Sequence, residues 1–143
     1  MGLFCFLTFF LVCNLANAFS ESIQVPAGET ETRAVNMKEG DRISGRVTIV
    51  GQSLNFSIYS PDGQTIINST LSDPIDFQFV ATATGVYGFY FENTFSNEAN
   101  LVTLNYNVQY YIFGFPQEYI ILFFIVGLAL VAVVVYAAMS PKP

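Results

Sequence analysis

Between Phe19 and Gln117 apolar and polar positions alternate with a period of two, and at both ends of the chain that alternation gives way to unbroken apolar runs. A period of two marks a half-buried strand, because successive side chains of a strand point to opposite faces of its sheet. In the segment from Arg42 to Ile49, Ile43, Val47 and Ile49 share one face and Arg42 and Arg46 the other. Leu54, Phe56 and Ile58 alternate with Asn55, Ser57 and Tyr59, and Ile75, Phe77 and Phe79 with Asp76, Gln78 and Val80. Tyr87, Phe89 and Phe91 form a buried row, and Val102, Leu104, Tyr106, Val108 and Tyr110 alternate with Thr103, Asn105, Asn107 and Gln109. Turn chemistry separates these runs at Pro26-Ala27-Gly28-Glu29, Glu39-Gly40-Asp41, Pro61-Asp62-Gly63, Ser72-Asp73-Pro74 and Asn93 to Asn97. Two strands before Gly40 (about 20–25 and 31–37) and one after Gly63 (about 64–68) bring the expectation to about eight. The pattern predicts an all-β antiparallel β-sandwich of jelly-roll or Ig-like type, without fixing its strand order.

The two apolar ends read differently. Leu3 to Val12 is too short to cross a bilayer and is followed by Ala16-Asn17-Ala18, the small-residue pattern of a signal-peptidase site. Residues 1–18 are therefore expected to be a signal peptide and 19–117 an extracytoplasmic domain. Residues 119–138 are uninterruptedly apolar and long enough to span the hydrocarbon core, so 118–138 is expected to be a transmembrane α-helix and 139–143 a cytoplasmic tail. Tyr119 and Tyr136 lie near the ends of that run, and Tyr110, Tyr111, Phe113 and Phe115 crowd its approach, where amphipathic rings favour the headgroup level.

Composition narrows the chemistry. The 143 residues carry a net charge of −6, with only 11% charged, and four of the five basic residues (Arg33, Lys38, Arg42, Arg46) are outnumbered by the eleven acidic ones between Glu21 and Glu118. Such a surface lacks the phosphate-neutralising charge that nucleic-acid binding requires, so no nucleic-acid partner is expected. Histidine is absent, and both cysteines, Cys5 and Cys13, fall in the expected signal, leaving no ordinary general base and no mature thiol. Ser53 lacks the closing glycine of a nucleophile elbow. The chain is expected not to be an enzyme and to need no cofactor.

Three carboxylates, Asp62, Asp73 and Asp76, sit at turns or strand ends where a hard cation takes oxygen ligands, but their spacing matches no calcium loop and turn formation accounts for them better. Asn55-Phe56-Ser57 and Asn68-Ser69-Thr70 are N-glycosylation sequons, which makes Asn55 and Asn68 candidate modification sites. Arg33, Arg42 and Arg46 are interleaved with Glu31, Glu39 and Asp41, as in a mixed-charge solvated face.

The segment Thr84-Gly85-Val86-Tyr87-Gly88-Phe89-Tyr90-Phe91-Glu92-Asn93-Thr94-Phe95-Ser96, with the closing strand Val102 to Val108, resembles the C-terminal half of Golgi-dynamics (GOLD) domains. With Val25 to Gly28 and Gly40 to Gly45, the chain is similar over about residues 22–110 to the short prokaryotic, especially archaeal, membrane-anchored versions. Similar landmarks occur in bacterial pre-peptidase C-terminal domains. The resemblance implies a single-pass membrane protein whose ectodomain binds other proteins. Eukaryotic relatives select cargo and recruit vesicle coats, but this chain lacks their ectodomain cysteine pair, their coiled coil, for which Tyr110 to Glu118 offers only a linker, and their tail signals. The expected function is a membrane-tethered recognition or scaffold domain, its partners the lipid bilayer and another membrane or envelope protein. The alternatives are a small accessory subunit of a membrane complex and a carbohydrate- or calcium-binding surface sandwich in which Tyr59 or Tyr90 would serve as platforms.

Overall fold

A computed structural model describes residues 18–140, in two units, a sandwich ending at Tyr110 and a membrane segment from Tyr111. The expected signal peptide, apart from Ala18, and the last three tail residues lie outside the described residues. Eight strands build the sandwich: β1 (Ala18–Val25), β2 (Thr30–Met37), β3 (Arg42–Val50), β4 (Leu54–Tyr59), β5 (Thr65–Leu71), β6 (Ile75–Val80), β7 (Gly85–Glu92) and β8 (Asn100–Gln109). They pair in two antiparallel sheets of order β1-β8-β3-β6 and β2-β7-β4-β5. Only the β4–β5 connection stays within one sheet; each of the others crosses the sandwich. That order is the jelly roll and excludes the Ig arrangement, in which about half of the sequential strands are neighbours within a sheet.

The alternation seen in the sequence fills the space between the sheets. Ile43 and Val47 of β3, Phe77 of β6 and Val102 and Leu104 of β8 face Leu54, Phe56 and Ile58 of β4 and Tyr87, Phe89 and Phe91 of β7, all within one apolar core. Phe56 sits at the centre of an aromatic cluster, its ring 5.2 Å from Phe91, 6.1 Å from Phe77 and 6.3 Å from Phe89. Such pairs add roughly 0.5–1.5 kcal/mol each beyond the burial itself, which offsets the absence of any disulfide in this segment. Gly45 on β3 leaves room for the Phe77 ring, whose Cζ lies 2.5 Å from where a Cβ would stand.

A sandwich made of crossings needs firm corners. At one end Asn93, fully buried, donates from Nδ2 to the carbonyls of Val25 (3.0 Å), Pro26 (3.1 Å) and Glu98 (2.8 Å), while its Oδ1 accepts from Asn100 Nδ2 (2.8 Å). Asn100 in turn accepts from the Gln52 amide (2.6 Å), and Gly51, at φ 133°, leaves space for its side-chain oxygen. Two amides thus tie the β1–β2, β3–β4 and β7–β8 connections together. At the other end Gly40 donates to the Ala81 carbonyl (2.9 Å) and Ala81 to that of Asp41 (2.8 Å), while buried Asp41 accepts from the Lys38 amide (2.8 Å). Beside them the buried Tyr87 hydroxyl donates to the Ala83 carbonyl (3.0 Å) and accepts from its amide (3.2 Å), a tyrosine corner of the kind that pins Greek-key crossings.

Unfolding measurements will separate these clasps. Tyr87→Phe is expected to cost about 1–2 kcal/mol by removing one hydroxyl from a buried backbone pair. Asn93→Ala leaves buried carbonyls unpartnered and is expected to cost about 3 kcal/mol or more, and Asn93→Asp more again at neutral pH, because a carboxylate would face three carbonyl oxygens.

Candidate interaction faces and membrane segment

The outer face of the β1-β8-β3-β6 sheet is polar and small-chained. Cross-strand register aligns Ser20, Asn105, Arg46 and Asp76 in one row and Ala18, Asn107, Ser44 and Gln78 in the next. These residues line a shallow depression of about 580 Å³. Arg46 clamps Asp76 with two hydrogen bonds, Nε to Oδ1 at 2.6 Å and Nη2 to Oδ2 at 2.8 Å, a bidentate fork across neighbouring strands. The hydrogen bond from Arg46 holds the Asp76 carboxyl below its ordinary range, against desolvation and with help from the Arg46 charge. The depression is therefore electrically almost balanced, and amides and hydroxyls dominate its chemistry.

The expected mixed-charge face is divided by the fold. Arg42 and Arg46 lie on this outer face, whereas Arg33 on edge strand β2 points between the sheets. There Arg33 donates to Glu21 of β1 at 2.9 Å, to Glu31 at 3.2 Å and to the Thr32 carbonyl at 2.8 Å, closing the open side of the sandwich with a half-buried ion pair. Behind it the Tyr106 phenol is raised above its ordinary pKa by burial, by the Glu21 charge and by Tyr110.

The outer face of the second sheet carries Tyr59 and Tyr90. Their rings meet edge to face, 5.3 Å apart, and Tyr90 lies over Gly88, where a Cβ would stand 2.6 Å from its ring. Perpendicular rings make no flat stacking platform of the kind a sugar face requires. Both sequons also fall on this sheet: Asn68 is exposed on edge strand β5, whereas Asn55 is part-buried on β4, opposite Thr70 and 3.4 Å from its hydroxyl. Ser57, which the alternation places on the solvated face, is buried opposite Tyr90 in register.

The carboxylates considered for a cation do not converge. Asp62 lies before β5, bonded to Ser60 and to Gln64 Nε2 at 2.9 Å; Asp73 lies after it, beside Ser72; and Asp76 is held by Arg46. Among the described residues no group of three or more histidine, cysteine, aspartate or glutamate side chains is placed to hold a metal ion.

The membrane segment is built around α1 (Gln117–Met139), 23 residues and so about 34 Å long, apolar and uncharged after Glu118, and long enough to cross a bilayer. Its approach differs from the linker expected for Tyr110 to Glu118. Tyr111–Ile112 (β9) and Phe115–Pro116 (β10) pair antiparallel around a two-residue turn at Phe113 (φ 52°) and Gly114 (φ 80°). Two positive φ angles define the hairpin turn that matches strand twist, usually written Asn-Gly. Phe-Gly hides that signal, because a bulky residue there costs roughly 1–2 kcal/mol.

The family model of the emp24/gp25L/p24 family/GOLD matches residues 21–114, and the chain belongs to that family. The match takes in all of β2 to β8 and most of β1 and is followed by α1, the arrangement of a GOLD-domain single-pass membrane protein. Among solved structures the chain is similar to a periplasmic inhibitor of g-type lysozyme from Aeromonas hydrophila, at 20% identity and TM-score 0.54, over 68% of this chain and 90% of that one. The corresponding protein of Salmonella Typhimurium is similar at 16% identity and TM-score 0.47, over 67% and 91%. At these identities the likeness concerns the fold alone. No curated protein matches the chain significantly.

Two measurements follow from these faces. Carboxyl NMR titration is expected to place Asp76 below the ordinary value of about 3.9, with Arg46→Ala returning it there. The sign is that of a depressed acid: the pair's contribution is present above the unfolded-state pKa and is lost as pH falls through the folded one. Glycopeptide mass spectrometry after passage through a glycosylating secretory pathway is expected to find Asn68 modified ahead of Asn55, in the order of their exposure.

Proposed function

We propose that this protein is a non-enzymatic, membrane-tethered interaction domain displayed outside the cytoplasm, where it recognises or scaffolds another membrane or envelope protein. The observation that carries the reading is the GOLD-family match over residues 21–114 continuing into an apolar helix, the family being of non-enzymatic, cargo-receptor type. Residues 1–18 serve as a cleaved signal, Asn55 and Asn68 as glycan acceptors, and Met139 to Pro143 as a short inner tail. Tyr110, Tyr111, Phe113, Phe115, Tyr119 and Tyr136 lie at the two membrane interfaces.

The recognition surface in this reading is the balanced amide and hydroxyl face around Asn105 and Asn107. Its neutralised Arg46–Asp76 pair and short side chains suit reversible contact with polar backbone and side-chain groups rather than a permanent apolar interface. A receptor that releases what it binds needs a surface of that kind.

Photo-crosslinking in native membranes tests this directly. A photoreactive residue at Asn107 is expected to give adducts with another membrane or envelope protein, while one at Asn36, on the opposite sheet, gives few. After gentle detergent extraction the protein is expected alone, at the intact mass of residues 19–143 once its N-linked glycans have been removed enzymatically. Fixed-ratio companions in detergent would make it an accessory subunit instead. Absence of adducts from both faces would sink the recognition reading.

A further inference from the structure

The hairpin of residues 111–116 carries its least favourable residue at its most exposed point. Phe113 occupies a left-handed position at φ 52° and is 95% exposed. Asparagine or glycine would relieve that turn, and a phenylalanine ring fully in water gains nothing from being there. Around it Ile112, Phe115, Tyr119 and Phe123 are also exposed, and no charged side chain occurs between Glu98 and Glu118.

The hairpin is joined to α1 without slack. Pro116 is both the last residue of β10 and the N-cap of the helix, with φ −53° and ψ 134°. Phe115 therefore runs beside the first turns of α1, and with Tyr119, Ile120 and Phe123 it lines a predominantly apolar cleft of about 310 Å³. The two strands satisfy part of each other's backbone, which is the condition for placing non-helical chain at the edge of a membrane.

We infer that this hairpin is a membrane-inserted wedge: Phe113 enters the leaflet in which α1 begins, and an acyl chain of that leaflet fills the cleft beside Phe115. The inference rests on the reading that α1 spans the bilayer. Lipid is the occupant because the cleft is continuous with the apolar surface of the spanning helix, carries no charge, and lies where Tyr119 marks the start of the apolar run. The wedge gives the segment a second hold on the membrane, so that α1 is fixed in depth and rotation as well as anchored.

The chain contains no tryptophan, so a single introduced indole reports alone. Full-length Phe113→Trp, Phe115→Trp and Phe124→Trp proteins would be reconstituted in phosphatidylcholine vesicles, with bromine placed either near the top or at the end of the acyl chains. Phe113→Trp is expected to lose emission several-fold with the shallow bromines and to be shielded from aqueous iodide, and Phe115→Trp, which leaves the turn intact, is expected to do the same. Both indoles open to iodide and insensitive to bromine would overturn the wedge. Both shielded from iodide and bromine alike would also overturn it, by pointing to a second protein in the cleft. Phe124→Trp, well inside α1, reports the spanning reading separately. If it is not quenched by the deep bromines, that reading has failed; if it is quenched while the other two stay aqueous, only the wedge has failed.

Discussion

An amide shut away from water holds one end of this sandwich together. Asn93 presents two donor hydrogens to three carbonyls from two different corners, and its oxygen takes a hydrogen from Asn100. Apolar residues bury well in many registers, but buried carbonyls must find partners or cost the fold dearly. The node therefore chooses among arrangements that the core alone would tolerate. Every buried side-chain nitrogen and oxygen among the described residues has a partner, so the choice leaves no unpaid remainder. The aromatic cluster around Phe56 supplies cohesion, and the amides decide which strand ends meet.

Much of the fold was legible because each face of each strand meets one environment. All eight expected strands are present, and boundaries at Arg42, Leu54, Tyr59, Ile75 and Val80 coincide with the alternation. Strand order was not legible, since it depends on the Asn93 and Tyr87 clasps, whose partners lie far away in sequence or are backbone atoms without a residue signature. Arg33 departs from the expected solvated face for a related reason: alternation puts it on the inner face with Val35 and Met37, and its ion pairs with Glu21, on the facing sheet, and Glu31 make that tolerable. The hairpin before α1 has the sequence of a linker because its turn is Phe-Gly, where local backbone preference argues against what the structure adopts.

The two units solve opposite problems of solvent. In the sandwich, polar groups are either turned outward, as along Asn105 and Asn107, or locked in pairs such as Arg46 with Asp76. In the membrane segment, apolar side chains are turned outward, and the backbone is satisfied along the helix and in part by the short ladder. One unit thus presents a face of balanced charge and the other an apolar helix long enough to cross a bilayer.

The pairing of β1 with β8, residue 18 beside 107, has a kinetic meaning. The first and last strands of the sandwich are neighbours, and β8 also separates β1 from β3, so that sheet cannot close until the end of the domain has been made. Contacts of such long sequence separation fold slowly, and until β8 is in place Phe89 lacks the Tyr106 ring stacked 6.2 Å from it. The strand that completes the domain is followed closely by the segment destined for the bilayer. The sheet can therefore close only when nearly all of the chain ahead of α1 has been made.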